Sequence, residues 1–215
     1  VMRQLLLVGL PVAAQDGLIQ IAFLVITAIA NGRGITAAAA VGIVEKVISF
    51  FFLVPSAMLS TVSAIAAQNA GANCHERSRK TLLYAIMISL GFGTFFAVLC
   101  QFQSEAILRL FSKEEPSVII LGAQYLKAYS FDCVFAAIHF CFSGYFCAYQ
   151  KSMLSFAHNL ASILLARIPG AYLASVYFPD TLYPMGLAAP IGSLLSSIIC
   201  IAAYLILRNR ENGFP

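Results

Sequence analysis

The sequence predicts an all-α, polytopic membrane protein, a bundle of six transmembrane helices. Three observations carry that prediction. The mean hydropathy of the 215 residues is +0.87, with 60% hydrophobic residues. Charged residues make up 10%, against about 25% in soluble domains. The apolar residues fall in six runs, each near or above the roughly 20 residues that cross a bilayer. Tryptophan is absent, leaving 9 tyrosines and 17 phenylalanines to pack and to anchor at interfaces.

The spans read as residues 5–30, 35–67, 80–102, 117–147, 154–177 and 185–207. Asn31-Gly32-Arg33-Gly34 separates the first two as a tight turn. Gln68 to Arg79 is polar and basic and divides the second from the third. Ser112 and Glu115, ahead of Pro116, read as a reciprocal cap on the fourth. Phe178-Pro179-Asp180 and Tyr183-Pro184 break the fifth from the sixth. Spans two and four exceed what a bilayer requires, which predicts tilt, kinks or projecting ends. Pro55 is the expected kink in span two. Glu105–Ser112 reads equally as a short interfacial helix or a plain loop.

One set of ends carries Arg3, Arg77, Arg79, Lys80, Lys151, Arg208 and Arg210. The other carries Arg33, Arg109 and Lys113. Basic residues mark the cytoplasmic side, so both termini are expected in the cytoplasm. The opening run lacks a cleavage pattern and continues as a full span, so no signal peptide is read there. The formal charge of +4 is too small and too scattered for a nucleic-acid surface. The six cysteines show no metal-ligand spacing and read as small buried hydrophobes. No HExxH, GxGxxG, Walker loop or GxSxG is present, and the three histidines fall on separate elements. The reading is therefore not an enzyme, with no cofactor and no metal.

Three acids and three bases lie inside the spans: Asp16, Glu45 and Asp132 against Lys46, Lys127 and Arg167. Equal numbers suggest pairing, since an unpaired buried charge is costly. Asp16, Asp132 and Arg167 are near mid-span. Glu45, Lys46 and Lys127 are nearer the outer ends. A carboxylate at the bilayer centre costs about 2.5–3.5 kcal/mol on insertion scales and marks ion or substrate paths. Tyr125, Tyr129, Asp132, Ala136, His139 and Ser143 recur at helical spacing as one stripe on span four. Glu45, Ser49, Ser56, Ser60 and Ser63 form another on span two, and Asp16 with Gln20 a third on span one. Three such stripes can line one water-filled cavity. The serines, His139 and Arg167 also read as interhelical packing groups. Arg167 precedes Ile168-Pro169, where it can serve a carboxylate or carbonyls freed by the proline.

An even span number returns the chain to its starting side, so a second six-helix copy would sit parallel to it, a known transporter plan. The words of the sequence agree. Gly9-Leu10-Pro11, Ala39-Ala40-Val41-Gly42, Ala67-Gln68-Asn69-Ala70-Gly71-Ala72, Gly144-Tyr145-Phe146, Arg167-Ile168-Pro169 and Gly186-Leu187-Ala188-Ala189-Pro190 resemble the multidrug and toxic compound extrusion (MATE) family. The Ala67–Ala72 stretch is the most specific; Asn69 and Gly71 also suit a helix end and a turn. The resemblance implies two six-helix lobes around a cavity, with residues 1–215 as the C-terminal lobe and an N-terminal lobe outside this sequence. It implies a secondary antiporter in a bacterial plasma membrane, exporting small organic, often cationic, substrates in exchange for Na+ or H+. A glutamate that one branch of the family places eight residues after the span-one proline falls on Ile19, and that branch's fourth-helix aspartate falls on Ala136. Asp16 and Asp132 lie about one turn earlier. A lipid-linked oligosaccharide flippase and a non-transporting membrane assembly subunit are the other readings.

Overall fold

In the computed structural model the chain is described over residues 2–111 and 115–209, with side chains from Gly9 onward. Arg3, Ser112, Lys113 and Arg210 lie outside those residues or their described side chains. The elements are α1 (Met2–Asn31), α2 (Ile35–Phe51), α3 (Leu53–Gly71), α4 (His75–Phe111), α5 (Pro116–Tyr129), α6 (Asp132–Ala148), α7 (Ser152–Ser162), a π turn (Ile163–Arg167), α8 (Ile168–Tyr177), α9 (Tyr183–Gly186) and α10 (Ala188–Arg208). Among the described residues there is no strand. Five segments are long and apolar enough to cross a membrane, and the bent pair α5–α6 makes a sixth. Six spans are thus found where six are expected, with ends shifted by several residues.

The breaks inside the long spans have identifiable causes. Span two divides at Phe52, one turn before Pro55, instead of at the proline. Pro55 has no N–H for the Phe51 carbonyl and its ring crowds that group, so the ladder parts upstream. α3 then starts with the proline in its first turn. Span four bends by 46° between α5 and α6, and no proline is there. Gln101 of α4 donates its Nε2 to the Lys127 carbonyl at 2.8 Å and to Ser130 Oγ at 3.1 Å. Ser130 Oγ donates to the same carbonyl at 2.8 Å. A side chain entering the ladder bends a helix as a proline does. Span five carries the π turn just ahead of Pro169, with Ile168 N–H reaching back to the Ile163 carbonyl.

Glu105–Phe111 is helical and not a loop. It is set off from the body of α4 by a kink at the non-helical Gln103 (φ −122°, ψ 19°), as the short-helix reading expects. Glu115 itself occupies the N-cap of α5, without a side-chain bond, and Pro116 begins the helix. α3 runs to Gly71, and the left-handed residue that turns the chain is Asn73 (φ 55°).

α6 is the axis of the bundle. α3, α4, α7 and α10 all pack on it, and two apolar clusters meet along it. Small residues permit the close crossings. A Cβ at Gly144 would run into the Leu59 backbone carbonyl of α3, and one at Gly93 into the Cys133 carbonyl. Interhelical ties mark the two ends. At one, His75 and Tyr149 share a hydrogen bond of 3.2 Å. At the other, Arg33, between α1 and α2, donates to the carbonyls of Phe178 (3.1 Å), Pro179 and Thr181 (3.2 Å). The next residue, Gly34, has φ 111°, a conformation natural only to glycine. All six cysteines are free; five are buried and Cys74 is half-buried.

Candidate functional site

The polar positions do not line one cavity. They divide into an open groove and a buried interior network. The groove lies on α1, α2, α3 and α6. Asp16, Gln20, Phe23, Ser49, Phe52, Ser56 and Phe140 enclose about 320 Å³. A second hollow of about 470 Å³ shares Gln20, Phe23 and Ser49 with it and extends to Glu45 and Lys46. Asp16 and Gln20 face outward from α1, whereas the neighbouring Gln15 is buried. The break at Phe52 sets that aromatic ring between the α2 serine and the α3 serine. Phe52 and Phe140 stand 6.0 Å apart, ring to ring, and close the wall.

Two carboxylates and one ammonium therefore border the groove. Glu45 accepts a hydrogen bond from Thr27 Oγ1 at 3.0 Å. Among the described residues neither Glu45 nor Lys46 enters an ion pair, nor does Asp16. The pairing suggested by equal numbers of acids and bases holds for one couple only. Lys127, the third base, sits instead beside Glu105 and Arg109 in a separate surface hollow. Its side chain is half-buried. Its carbonyl serves the α5–α6 break.

That one couple is Asp132 with Arg167, 3.2 Å apart and both buried. Asp132 is the first residue of α6, where the helix dipole favours a carboxylate. Arg167 closes the π turn. The same guanidinium nitrogen donates to Ser193 Oγ at 2.7 Å, and Ser193 Oγ and His139 Nε2 share a bond of 3.3 Å. Gly192 makes the room: a Cβ there would lie 2.5 Å from Arg167 Cγ and 2.7 Å from Ser162 Oγ. One turn further along α6 a second set follows. His158 binds Ser143 at 2.9 Å and Ser196 at 2.7 Å. The His139 and His158 rings are 5.7 Å apart, edge to face.

The structure thus places Asp132, Tyr129, Ala136 and His139 inside the bundle, all buried, and Asp16 and Gln20 on its open face. Sequence reasoning put His139 and His158 on separate elements, which is correct, but gave no sign that they meet. It also passed over Gln101, Ser193, Ser196 and the groove aromatics Phe23, Phe52 and Phe140. The spacing of Ser193 and Ser196, one turn apart on a helix of otherwise apolar character, is the signal that marks two of them. Among the described residues no cluster of His, Cys, Asp and Glu has the makings of a metal site.

The model of the MatE family matches residues 11–173. A curated relative, the FAD transporter of Shewanella oneidensis, is 29% identical over 167 residues, which is 77% of this chain and 36% of the relative. A variant of the Vibrio cholerae MATE transporter VcmN superposes with a TM-score of 0.89 at 17% identity, covering 98% of this chain and 48% of that one. A MATE protein in complex with MaL6 gives 0.87 at 17%, covering 94% and 45%. A Pyrococcus furiosus transporter of the MOP superfamily gives 0.83 at 18%, covering 92% and 44%. The chain spans less than half the length of each.

Proposed function

The chain belongs to the MatE family, the multidrug and toxic compound extrusion proteins, and on that premise we propose that it is the C-terminal six-helix lobe of a secondary active antiporter. Members of the family are transporters, not enzymes, and the spans make this an integral membrane protein. In the proposed assembly an N-terminal six-helix lobe faces α1, α2 and α3. The groove is this lobe's half of a central cavity, and residues 1–215 act as one unit that rocks against the other. The membrane is a bacterial plasma membrane, with both termini cytoplasmic.

The observation that carries the reading is the groove, with Asp16, Gln20 and Glu45 beside Phe23, Phe52 and Phe140. Carboxylates with aromatic faces suit an organic cation, by charge and by cation–π attraction of about 0.5–2 kcal/mol. Na+ or H+ taken up at the same carboxylates competes with that cation, and such competition couples the two fluxes. The Shewanella relative's substrate, FAD, carries phosphates. Two carboxylates against Lys46 alone argue for a cation over such an anion. That same balance disfavours a lipid-linked oligosaccharide flippase.

The test is export of a cationic dye by cells expressing the full protein. Asp16→Asn is expected to lower efflux about tenfold, the effect of losing one interaction of about 1.4 kcal/mol, at unchanged membrane level. Efflux equal to wild type would remove Asp16 from the site.

A further inference from the structure

α4 and α10 both lie along α6 but scarcely touch each other. A crevice of about 340 Å³ remains between them. Its floor is Phe142 of α6, and its walls are Leu82, Leu83 and Ile86 of α4 with Tyr204 of α10. Its mouth is charged. Arg79 and Lys80 from the first turns of α4 meet Arg208 from the last turn of α10, with Glu76 the single carboxylate. Glu76 and Arg79 approach to 3.9 Å, leaving Lys80 and Arg208, both exposed, to set the charge.

The two polarities lie at different depths. The bases stand at helix ends, at the level of head groups. The apolar floor lies one to two turns further in, where Leu83 is 56% exposed and Met87 and Tyr84 continue the outward face of α4. A ligand that satisfies both levels is anionic at one end and apolar at the other. Basic pockets between membrane helices hold lipid head groups in this way. The crevice is also remote from the groove. Phe140 lines one and Phe142 the other, and two residues along a helix are about 200° apart around it. The face proposed to meet a second lobe therefore leaves the crevice open to the bilayer.

We propose that this crevice binds an anionic phospholipid, its phosphate between Lys80 and Arg208 and an acyl chain against Leu83, Ile86, Phe142 and Tyr204. The lipid bridges the crevice between α4 and α10.

The experiment is native mass spectrometry of the full protein, delipidated and then exposed to phosphatidylglycerol, phosphatidylcholine or inorganic phosphate. Wild type is expected to retain phosphatidylglycerol in preference to phosphatidylcholine. Lys80→Gln with Arg208→Gln is expected to weaken that retention about thirtyfold, as for two basic side chains near a membrane surface. The charge-conserving pair Lys80→Arg with Arg208→Lys retains it. Leu83→Gln lowers lipid retention without affecting inorganic phosphate. Equal retention of the two lipids, selectivity unchanged in the Gln pair, or displacement of the lipid by inorganic phosphate would each overturn the assignment.

Discussion

Asp132 and Asp16 are both mid-span carboxylates, yet their surroundings differ in kind. Asp132 is enclosed and held by Arg167; Asp16 faces open space beside Gln20. Removing one member of a buried ion pair costs about 3–5 kcal/mol, because the other is left uncompensated. Asp132→Asn is therefore expected to lower thermal stability by that order, and to reduce efflux through loss of folded protein. Asp132→Leu with Arg167→Leu is expected to recover most of the loss in a detergent melting assay. A double variant no more stable than Asp132→Asn would show that the couple does not act as a unit. The sequence exposed the cost of both charges and offered Arg167 as a partner for a carboxylate without saying which one, because depth and count are legible in a linear string but pairing is not. It did not separate their roles. In a membrane helix a polar stripe shows which face avoids lipid, but not whether that face meets water or another helix. Tyr129, Ala136 and His139 all meet other helices.

At the scale of the element, the breaks decide what the helices present. Six spans and their turns were readable from hydropathy and turn chemistry, and Pro55 pointed to the bend in span two within one turn. The bend in span four was signalled only by the excess length of the span, with nothing local to place it. Its position comes from Gln101, 26 residues away from the carbonyl it binds, so no reading of span four alone locates it. The break before Pro55 also sets Phe52 into the groove. Pro55→Ala restores a donor to the Phe51 carbonyl and is expected to straighten α2 into α3, turning Phe52 away. Dye efflux then falls while the melting temperature holds or rises by the few degrees that about 1 kcal/mol is worth in a protein of this size. Undiminished efflux in that variant would mean that the bend serves packing alone.

For the whole molecule, alternation of six spans puts the α1–α2 turn, the α4–α5 connection and the α8–α9 connection at one end, and the α3–α4 and α6–α7 turns at the other. The hydrogen bonds agree, since Arg33 reaches the α8–α9 connection and His75 reaches Tyr149. The charge bias predicts which end is outside. In cells expressing the full protein, Asp180→Cys is expected to react with a membrane-impermeant maleimide, while Cys74, half-buried at the opposite end, reacts only after permeabilisation. The reverse pattern would invert the orientation proposed here. The proposed partner lobe rests on the even span number and the resemblance, because a groove proposed as half of a cavity has no signature within one half.

Arg33 has a mechanical meaning beyond its three hydrogen bonds. Its guanidinium joins the first crossing of the bilayer to the fifth, across some 145 residues of sequence. At that rim the bundle has no loose first helix; α1 packs on α7 and α8, and Arg33 buckles the hoop they form. A hoop can tilt as one piece but cannot open like a fan. Whatever force reaches α1 at that end is passed through this packing and the buckle to α8, and the two swing together.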